Sequence, residues 1–505
     1  MATDTPEQGK KGRLSGLLAA PQVEKYGVDQ IDESERTATP WSFFSIMMGS
    51  NTSLGVVLFG WIPVTLGLSL WDSLTSMMVG TLIGAFILAP LIVIGSRTAT
   101  NNATSSGAHF GVRGRMVGSI VSLSIAIVYT AIAVWTGADA MLGSLNRMFG
   151  LPYSTPARAV AYAVLTVLIT LVAIYGFKLL LRAETALWIA GSALMLLAVV
   201  AFAGRFTLDF PASEYVLAGR WQTWMLSALA VGVAGPMSLA GLTGDWSRYI
   251  SPERYPARKL LPPALAATFL GMILPQLLGL FTAITFSDPF APYVDGLVAA
   301  SPDWYVPFIL VLGLIGSGGL AVSTAYSCGL DLEAIIPQLS RVKATVFTSL
   351  LAAGLVYLGS LVFDLADSVI SVSIILLALS TPWAVVTGIG FGLAKGRYRR
   401  DDLQVFNRGQ KGGIYWFWHG FNFRAVTAWA IGATFGILAC NTTLYVGPLA
   451  DVANGVDVSF IGAAVIGATI YLLLRLLFPE GDRLQAAAPT ILEHARVKAV
   501  SSDAS

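Results

Sequence analysis

Charge is scarce in this 505-residue chain: Lys, Arg, Asp and Glu make up 12% of it, where a soluble chain carries about 25%. The net charge of +2 leaves no basic field that would attract nucleic acid. Cysteine is almost missing. Cys328 and Cys440 both lie in apolar runs without metal or redox spacing, so we read them as small packing residues. Histidine is as rare, and His109, His419 and His494 are spread along the chain, which argues against a zinc or haem centre. The apolar stretches hold no His/Cys/Glu cluster and no nucleophile–base constellation, so enzyme chemistry has no foothold there. No apolar stretch precedes Trp41, and a signal peptide is not expected. Apolar sequence is what is abundant: 55% of residues are hydrophobic and the mean hydropathy is +0.70.

Twelve stretches are long enough to cross a bilayer as helices, which takes about 20 apolar residues. They lie near 42–67, 74–95, 116–146, 158–176, 183–204, 223–248, 261–286, 304–330, 345–363, 368–393, 425–446 and 457–478. Basic residues mark the cytoplasmic side of a membrane protein. With the N-terminus inside, 27 of the 31 Lys and Arg fall on inner segments. Only Arg147, Arg158, Arg205 and Arg220 fall outside. The split supports an even number of spans with both termini cytoplasmic. The expected organisation is a cytoplasmic tail (1–40), five spans (41–204), five more (205–394), a cytoplasmic or interfacial loop with a possible membrane-lying helix (395–424), two last spans (425–479) and a second tail (480–505). Phe363-Asp364-Leu365-Ala366-Asp367 reads as a tight hairpin connection, and Asp331 and Glu333, at the inner end of span 8, read as facing water.

Spans 1 and 6 carry glycine in matching places. Span 1 has Gly49, Gly55 and Gly60, with Pro63 near its end; span 6 has Gly232, Gly235-Pro236, Gly241 and Gly244. Paired breaks in corresponding helices of two half-repeats point to a transporter's binding site, because backbone unwound inside a membrane must find partners in protein, ligand, ion or water. Five spans per half, with the first of each half broken, is the pattern of a 5+5 inverted repeat. The breaks are expected at Gly49-Ser50-Asn51-Thr52-Ser53 and Gly235-Pro236-Met237-Ser238, where Asn51, Ser53 and Ser238 add side-chain hydrogen-bonding groups. Close helix packing is the other use of such glycines.

Trp135 and Asp139 of span 3 are four residues apart and share a helix face. A carboxylate at the centre of a membrane costs about 2.5–3.5 kcal/mol, and no Lys or Arg lies within the apolar part of any span. Asp139 therefore faces a cavity, takes up and releases a proton, or accepts N–H groups from a solute; a wet position at the outer end of a long span is the alternative. Span 8 adds Ser317, Ser323 and Thr324 among its glycines. At the inner end of span 6, Asp245 and Arg248 are spaced to pair as a structural or gating lock.

At these residues the chain resembles the nucleobase–cation symporter-1 family: purine–cytosine permeases, cytosine permeases, and allantoin or hydantoin transporters. The resemblance spans residues of about 28–480. Its anchors are Glu33-Ser34-Glu35-Arg36-Thr37, Gly67-Leu68-Ser69-Leu70-Trp71-Asp72-Ser73-Leu74, Phe110-Gly111-Val112-Arg113-Gly114, the Asp245–Tyr249 run and Tyr326-Ser327-Cys328-Gly329-Leu330. It implies an all-α integral membrane protein of twelve transmembrane helices with the LeuT-type 5+5 inverted repeat plus two C-terminal helices. It also implies a flat heterocycle held between aromatic rings of spans 3 and 6, and symport with Na⁺ or H⁺. Trp135 matches the stacking aromatic of span 3, Asp139 a position where relatives often carry Gln, and Thr324 or Ser323 the polar contact of span 8. The chain departs from the pattern in three places. Pro236 or Met237 stands where relatives place Trp or Phe, Asp139 replaces a neutral amide, and the Ser-Thr pair of Na⁺-dependent members falls on Gly318-Gly319, with Ser317 next to it. The last of these favours a proton, and Asp139 points to a solute with extra N–H donors or a positive charge.

The expected function is a secondary active symporter, not an enzyme, that imports a small nitrogen-rich heterocycle with H⁺. The solute-binding set is Trp135, Asp139, Asn51, Ser53, Gly235, Met237, Ser238, Ser323 and Thr324; the coupling set is Asp139, Gly49, Thr52 and Ser317. No cofactor or metal is expected. The partners are the solute and membrane lipid, and the protein is expected to work as a monomer in the cell membrane. The alternative is a Na⁺-coupled carrier of an organic cation or amino-acid-like amine. A channel would need a continuous polar pore in place of one isolated carboxylate.

Overall fold

The computed structural model describes residues 27–480 except 175, 176, 337, 363, 364, 454 and 455; the side chains of 178, 360–362 and 365–367 are also not described. Most of the two expected tails and part of the Phe363–Asp367 connection therefore lie outside the described residues. Among those described, the secondary structure is helical, with three isolated β-bridges.

Local sequence places the first helices. Thr39 accepts from the Ser42 N–H and Ser42 returns the bond, so a capping box with Pro40 in the first turn starts α1 (Pro40–Asn51). Ser53 caps α2 (Leu54–Thr65) by accepting from the Val56 N–H. The two form one apolar span bent by 60° between Asn51 and Leu54. Then follow α3 (Leu70–Thr98), the short buried α4 (Asn102–Phe110), α5 (Met116–Phe149), α6 (Thr155–Ile174) and α7 (Phe177–Phe202). The sixth span is the most interrupted. It runs as α8 (Arg220–Ser227), a π-helical turn (Ala228–Val233), α9 (Ala234–Met237), turns over 238–242, and α10 (Thr243–Ser247). Beyond it lie α11 (Ala257–Ala283), α12 (Tyr293–Ala300), α13 (Val306–Ile335), α14 (Arg341–Val362), α15 (Leu365–Leu393), α16 (Arg400–Leu403), α17 (Phe423–Ala439) and α18 (Ser459–Leu477).

Nine described helices are long and apolar enough to span a membrane, and the bent α1–α2 pair makes ten. The expected twelve is reached by also counting the interrupted sixth span and the 17-residue α17. The fold is that of an all-helical membrane protein with a discontinuous first span.

The structure corrects three details. The eleventh span stops at Ala439 and not near 446, because Asn441 and Val446 pair across a turn. The loop after α15 forms one helical turn, α16, in place of a membrane-lying helix. Gly396, Gly409, Gly412, Gly413 and Gly420 all take positive φ there, which helices cannot use, and Tyr415 and Leu403 dock on Ala108 and Val112 beside α4. Asp331 is only 1% exposed; it lies on a turn of α13 that is buried nearly all round.

The core is a tight pairing of α5 with α13. Gly313 faces Ala140, Gly137 faces Ser317, and Thr130 shares a 2.7 Å hydroxyl bond with Thr324. Small residues let backbones approach where lipid supplies no hydrophobic drive between helices.

Candidate binding site at the broken helices

At the first break, the groups of Thr52 turn to local partners. The Thr52 N–H bonds the Met48 and Gly49 carbonyls and its hydroxyl bonds Met48 O at 2.7 Å. Asn51 spends its amide on Met47 O, also at 2.7 Å, and its buried Oδ1 accepts from no group. In the sixth span the interruption starts earlier and ends later than the four residues expected from sequence. The Ser238 hydroxyl turns back onto Gly235 O at 2.6 Å. Asn102 of α4 reaches in from the side, donating to Ala240 O at 2.7 Å and to the Thr243 hydroxyl at 2.8 Å. An unwound carbonyl inside the membrane is thereby given a protein donor.

Between the sixth span, α5 and α15 lies a small cavity of about 10 Å³, room for about one water. Tyr129, Met237, Ser238, Ser373, Leu376 and Ser380 line much of it. The Tyr129 hydroxyl engages Ser238 and Ser373, and its ring lies parallel to Phe59 of α2 at 6.0 Å. A second polar point sits on α11. Gln276 directs its Nε2 toward Val231 O of the π turn at 3.4 Å, its side chain also faces Gly235, and its buried Oε1 accepts from no group. A larger cavity of about 470 Å³ between α3, α7 and α11 is almost purely apolar and is lined by Trp71, Leu196 and Leu274. These side chains are exposed on the helix exterior, so this is an apolar groove on the outside of the helices.

The structure therefore divides the sequence-expected residues into three places. Met237 and Ser238 line the cavity, with Gly235 one turn away toward Gln276; Asn51 faces Gly271 of α11. Gly49, Thr52 and Ser53 meet α13 at Gly319 and Gly316, and Thr324 joins α13 to α5 beside Tyr129. Ser323 and Ser317 bond their own helix, at Gly319 O (3.1 Å) and Gly313 O (2.5 Å). Trp135 and Asp139 sit elsewhere. The Trp135 ring packs on Gly359 of α14. Asp139 accepts from the Tyr162 hydroxyl at 2.9 Å and lies 3.7 Å from Arg158 Nε. The expected lack of a cationic partner for Asp139 is thus corrected: Arg158 stands at the start of α6, outside the apolar run, and its length brings the guanidinium back to the carboxyl.

The ends of the sixth span and α13 nearest Arg248 are latched. Arg248 donates to the Tyr326 hydroxyl at 3.1 Å and to Gly27 O at 2.5 Å, and Ser327 donates to Asp245. Arg36 ties the segment before α1 to Ser96 O, to Arg248 O at 2.9 Å and to Ile250 O at 2.6 Å. Its guanidinium also meets Glu33 at 2.8 Å.

With this geometry in hand, the chain can be set beside known proteins. Residues 30–462 match the family described as permeases for cytosine/purines, uracil, thiamine and allantoin. The chain belongs to this family. It is a membrane transporter, not an enzyme. It is similar to YxlA of Bacillus subtilis (strain 168), a provisionally named purine–cytosine permease, with 23% identity over 469 residues, covering 90% of this chain and 96% of YxlA. Among solved structures it resembles Mhp1, a nucleobase–cation–symport-1 transporter, in a closed conformation with bromovinylhydantoin bound. There the TM-score is 0.70 at 14% identity, over 92% of this chain and 99% of Mhp1. Against the inward-facing conformation of Mhp1 the TM-score is 0.66, again at 14% identity, over 93% and 98% of the two chains. The likeness at this identity carries the fold.

Proposed function

We propose that this permease is a secondary active symporter that imports a nucleobase or related nitrogen-rich heterocycle by alternating access, with a proton as the coupling ion. The observation that carries this reading is the 60° bend between α1 and α2 set beside the interrupted sixth span, with a small cavity at the second break that Tyr129, Ser238 and Ser373 help to line. The similarity to Mhp1 with a hydantoin bound supports a flat, N–H-rich solute. So do two of the unmet buried acceptors, Asn51 Oδ1 and Gln276 Oε1, since such oxygens recover their lost hydration only from a donor. Tyr129 supplies a ring at the cavity and Ser238 a hydroxyl. A cavity of about 10 Å³ admits no heterocycle, so the helices must part before one can bind.

In this reading Asn51, Ser53, Gly235, Met237, Ser238, Ser323 and Thr324 belong to the wall of the expanded site. Trp135 and Asp139 form an outer station that the solute meets on entry. Gly49, Thr52 and Ser317 belong to the coupling region, where α1 meets α13. Solute and proton both favour the occluded state, so the loaded carrier switches and the half-loaded one does not. The protein acts as a monomer in the cell membrane with both termini cytoplasmic, needs no cofactor, and binds no nucleic acid.

Counterflow in proteoliposomes tests this. Radiolabelled hypoxanthine, cytosine, uracil and allantoin are offered under a pH gradient or a Na⁺ gradient. Saturable accumulation of one of them under the pH gradient is expected. A Na⁺ requirement at fixed pH, or selection of an organic cation over all four, overturns the reading.

A further inference from the structure

Glu184 of α7 is fully buried, and neither carboxyl oxygen has a hydrogen-bond partner. It lies where three helices touch. Oε2 stands 2.5 Å from where a Cβ on Gly49 would sit and 3.2 Å from the same point on Gly319, and the Gly49 carbonyl is 2.6 Å from that latter point. Gly49 is two residues before the end of α1 and Gly319 lies midway along α13. Glycine on both sides leaves room for this one carboxyl group, and the carboxyl fills it. Seven residues on, Gly191 of the same helix receives the Thr52 side chain. Helix α7 thus grips the broken end of α1 at two points.

An ionised carboxylate in such a place would cost far more than this packing returns, so the closed junction holds it neutral. Among the described residues no charged side chain pairs with it. Helix α1 carries no charged residue; on α13, Asp331 and Glu333 lie more than three turns beyond Gly319. On α11 the charges are Arg258 and Lys259 in the first turn, on α6 Arg158 in the first turn with Tyr162 beyond it, and on α7 itself Lys178 and Arg182, before Glu184. Asp139, by contrast, already has Arg158 and Tyr162 beside it.

We infer that Glu184 carries the coupling proton, and that its neutral form is what lets α1, α7 and α13 close. This rests on the symporter reading. A proton from outside water adds to one carboxylate oxygen and gives a neutral acid that tolerates the dry junction. When the inner side opens, about 10 Å from the cytoplasmic end of α7 (seven residues at 1.5 Å each), water takes the proton and the carboxylate is hydrated. The junction cannot close again over the charge, and this is how proton and solute movements are tied together.

The test compares wild type, Glu184→Gln and Glu184→Asp in proteoliposomes, with infrared spectroscopy on the same samples. A pH gradient of one unit drives at most about tenfold accumulation per proton. Wild type and Glu184→Asp are expected to approach about tenfold accumulation of whichever of hypoxanthine, cytosine, uracil or allantoin is carried. Glu184→Gln is expected to stay near onefold while still exchanging labelled for unlabelled solute at a pH-independent rate. The infrared arm needs no solute: at neutral pH wild type should show a protonated-carboxyl C=O band that the Gln variant lacks. If the band persists in Glu184→Gln, or is missing from wild type, Glu184 holds no proton. If a Na⁺ gradient drives wild type and not the Gln variant, Glu184 is a sodium ligand. Either result overturns the inference. If the band behaves as expected and none of the four solutes is carried, the solute reading fails and the proton site survives.

Discussion

Asn102 holds the carbonyl of Ala240 at 2.7 Å from a helix that is itself too short to span anything. The contact joins α4 to the unwound middle of the sixth span, and the same amide reaches Thr243. It fixes the shape of the second break with one side chain. The Asn102→Ala variant leaves a buried carbonyl without that donor, which costs about 1–3 kcal/mol. Thermal unfolding in detergent should show a lowered Tm, and counterflow should slow, because the interrupted span loses its brace. An unchanged Tm would mean that water replaces the amide.

Close approach at the first break is equally specific. A Cβ on Gly49 would run into the Glu184 backbone carbonyl and carboxyl, whereas a Cβ on Gly318, one residue before Gly319, meets nothing within 4 Å. The Gly49→Ala variant should therefore fold poorly or transport slowly, and Gly318→Ala should behave as wild type. Matched expression, Tm and uptake measurements on the pair separate a packing requirement at Gly49 from general intolerance of alanine in these helices. Equal behaviour of the two variants would remove it.

Tyr129 is the aromatic ring at the cavity. Removing the ring by Tyr129→Ala should weaken solute binding by roughly five- to hundredfold, the equivalent of one stacking platform at about 1–3 kcal/mol. Tyr129→Phe keeps the ring and loses only the hydroxyl that engages Ser238 and Ser373, so it should bind nearly as well. Competition binding on both variants is the measurement. Equal losses would show that the hydroxyl, not the ring, matters.

Much of this architecture is legible in the sequence, and the limits have physical causes. Length and hydropathy place the helices, and glycine and proline mark the breaks, because unwinding leaves a compositional trace. Which face of a helix looks inward leaves a weaker one. Tyr129 and Trp135 are equally near the middle of the 34-residue α5, but six residues apart means about 120° apart around the axis. Trp135 therefore packs on Gly359 while Tyr129 meets the cavity. Glu184 follows Lys178 and Arg182 near the start of its span, where a glutamate reads as an end-of-helix charge. The signal available was its spacing from Gly191, seven residues on the same face of α7.

The latch around Arg36 and Arg248 has a pH signature. Burial works to raise the Glu33 carboxyl, but the nearby Ser251 hydroxyl and the charges of Arg36 and Arg400 outweigh it and hold the group below its ordinary value of 4.5. A lowered folded value means that the stabilisation is complete above the unfolded value and is lost as pH falls through the folded one. The wild-type Tm should thus fall on the acid side of about pH 4.5 more steeply than that of Glu33→Gln. Parallel curves would show that Glu33 is too wet for its contact with Arg36 to count.

Asp139 and Arg158 test whether the outer station recognises solute. Asp139→Asn can still accept from the Tyr162 hydroxyl and leaves Arg158, which is partly exposed, to the solvent. If Asp139 greets N–H-rich or cationic solutes, the variant should lose affinity for them several-fold relative to neutral ones while its pH-driven accumulation persists, since that is assigned to Glu184. Arg158→Ala should do the opposite, freeing the carboxylate and tightening cationic competitors. A competition panel read at one pH against a labelled neutral solute gives the ranking. An unaltered ranking in both variants would make the pair a brace between α5 and α6 with no part in selection.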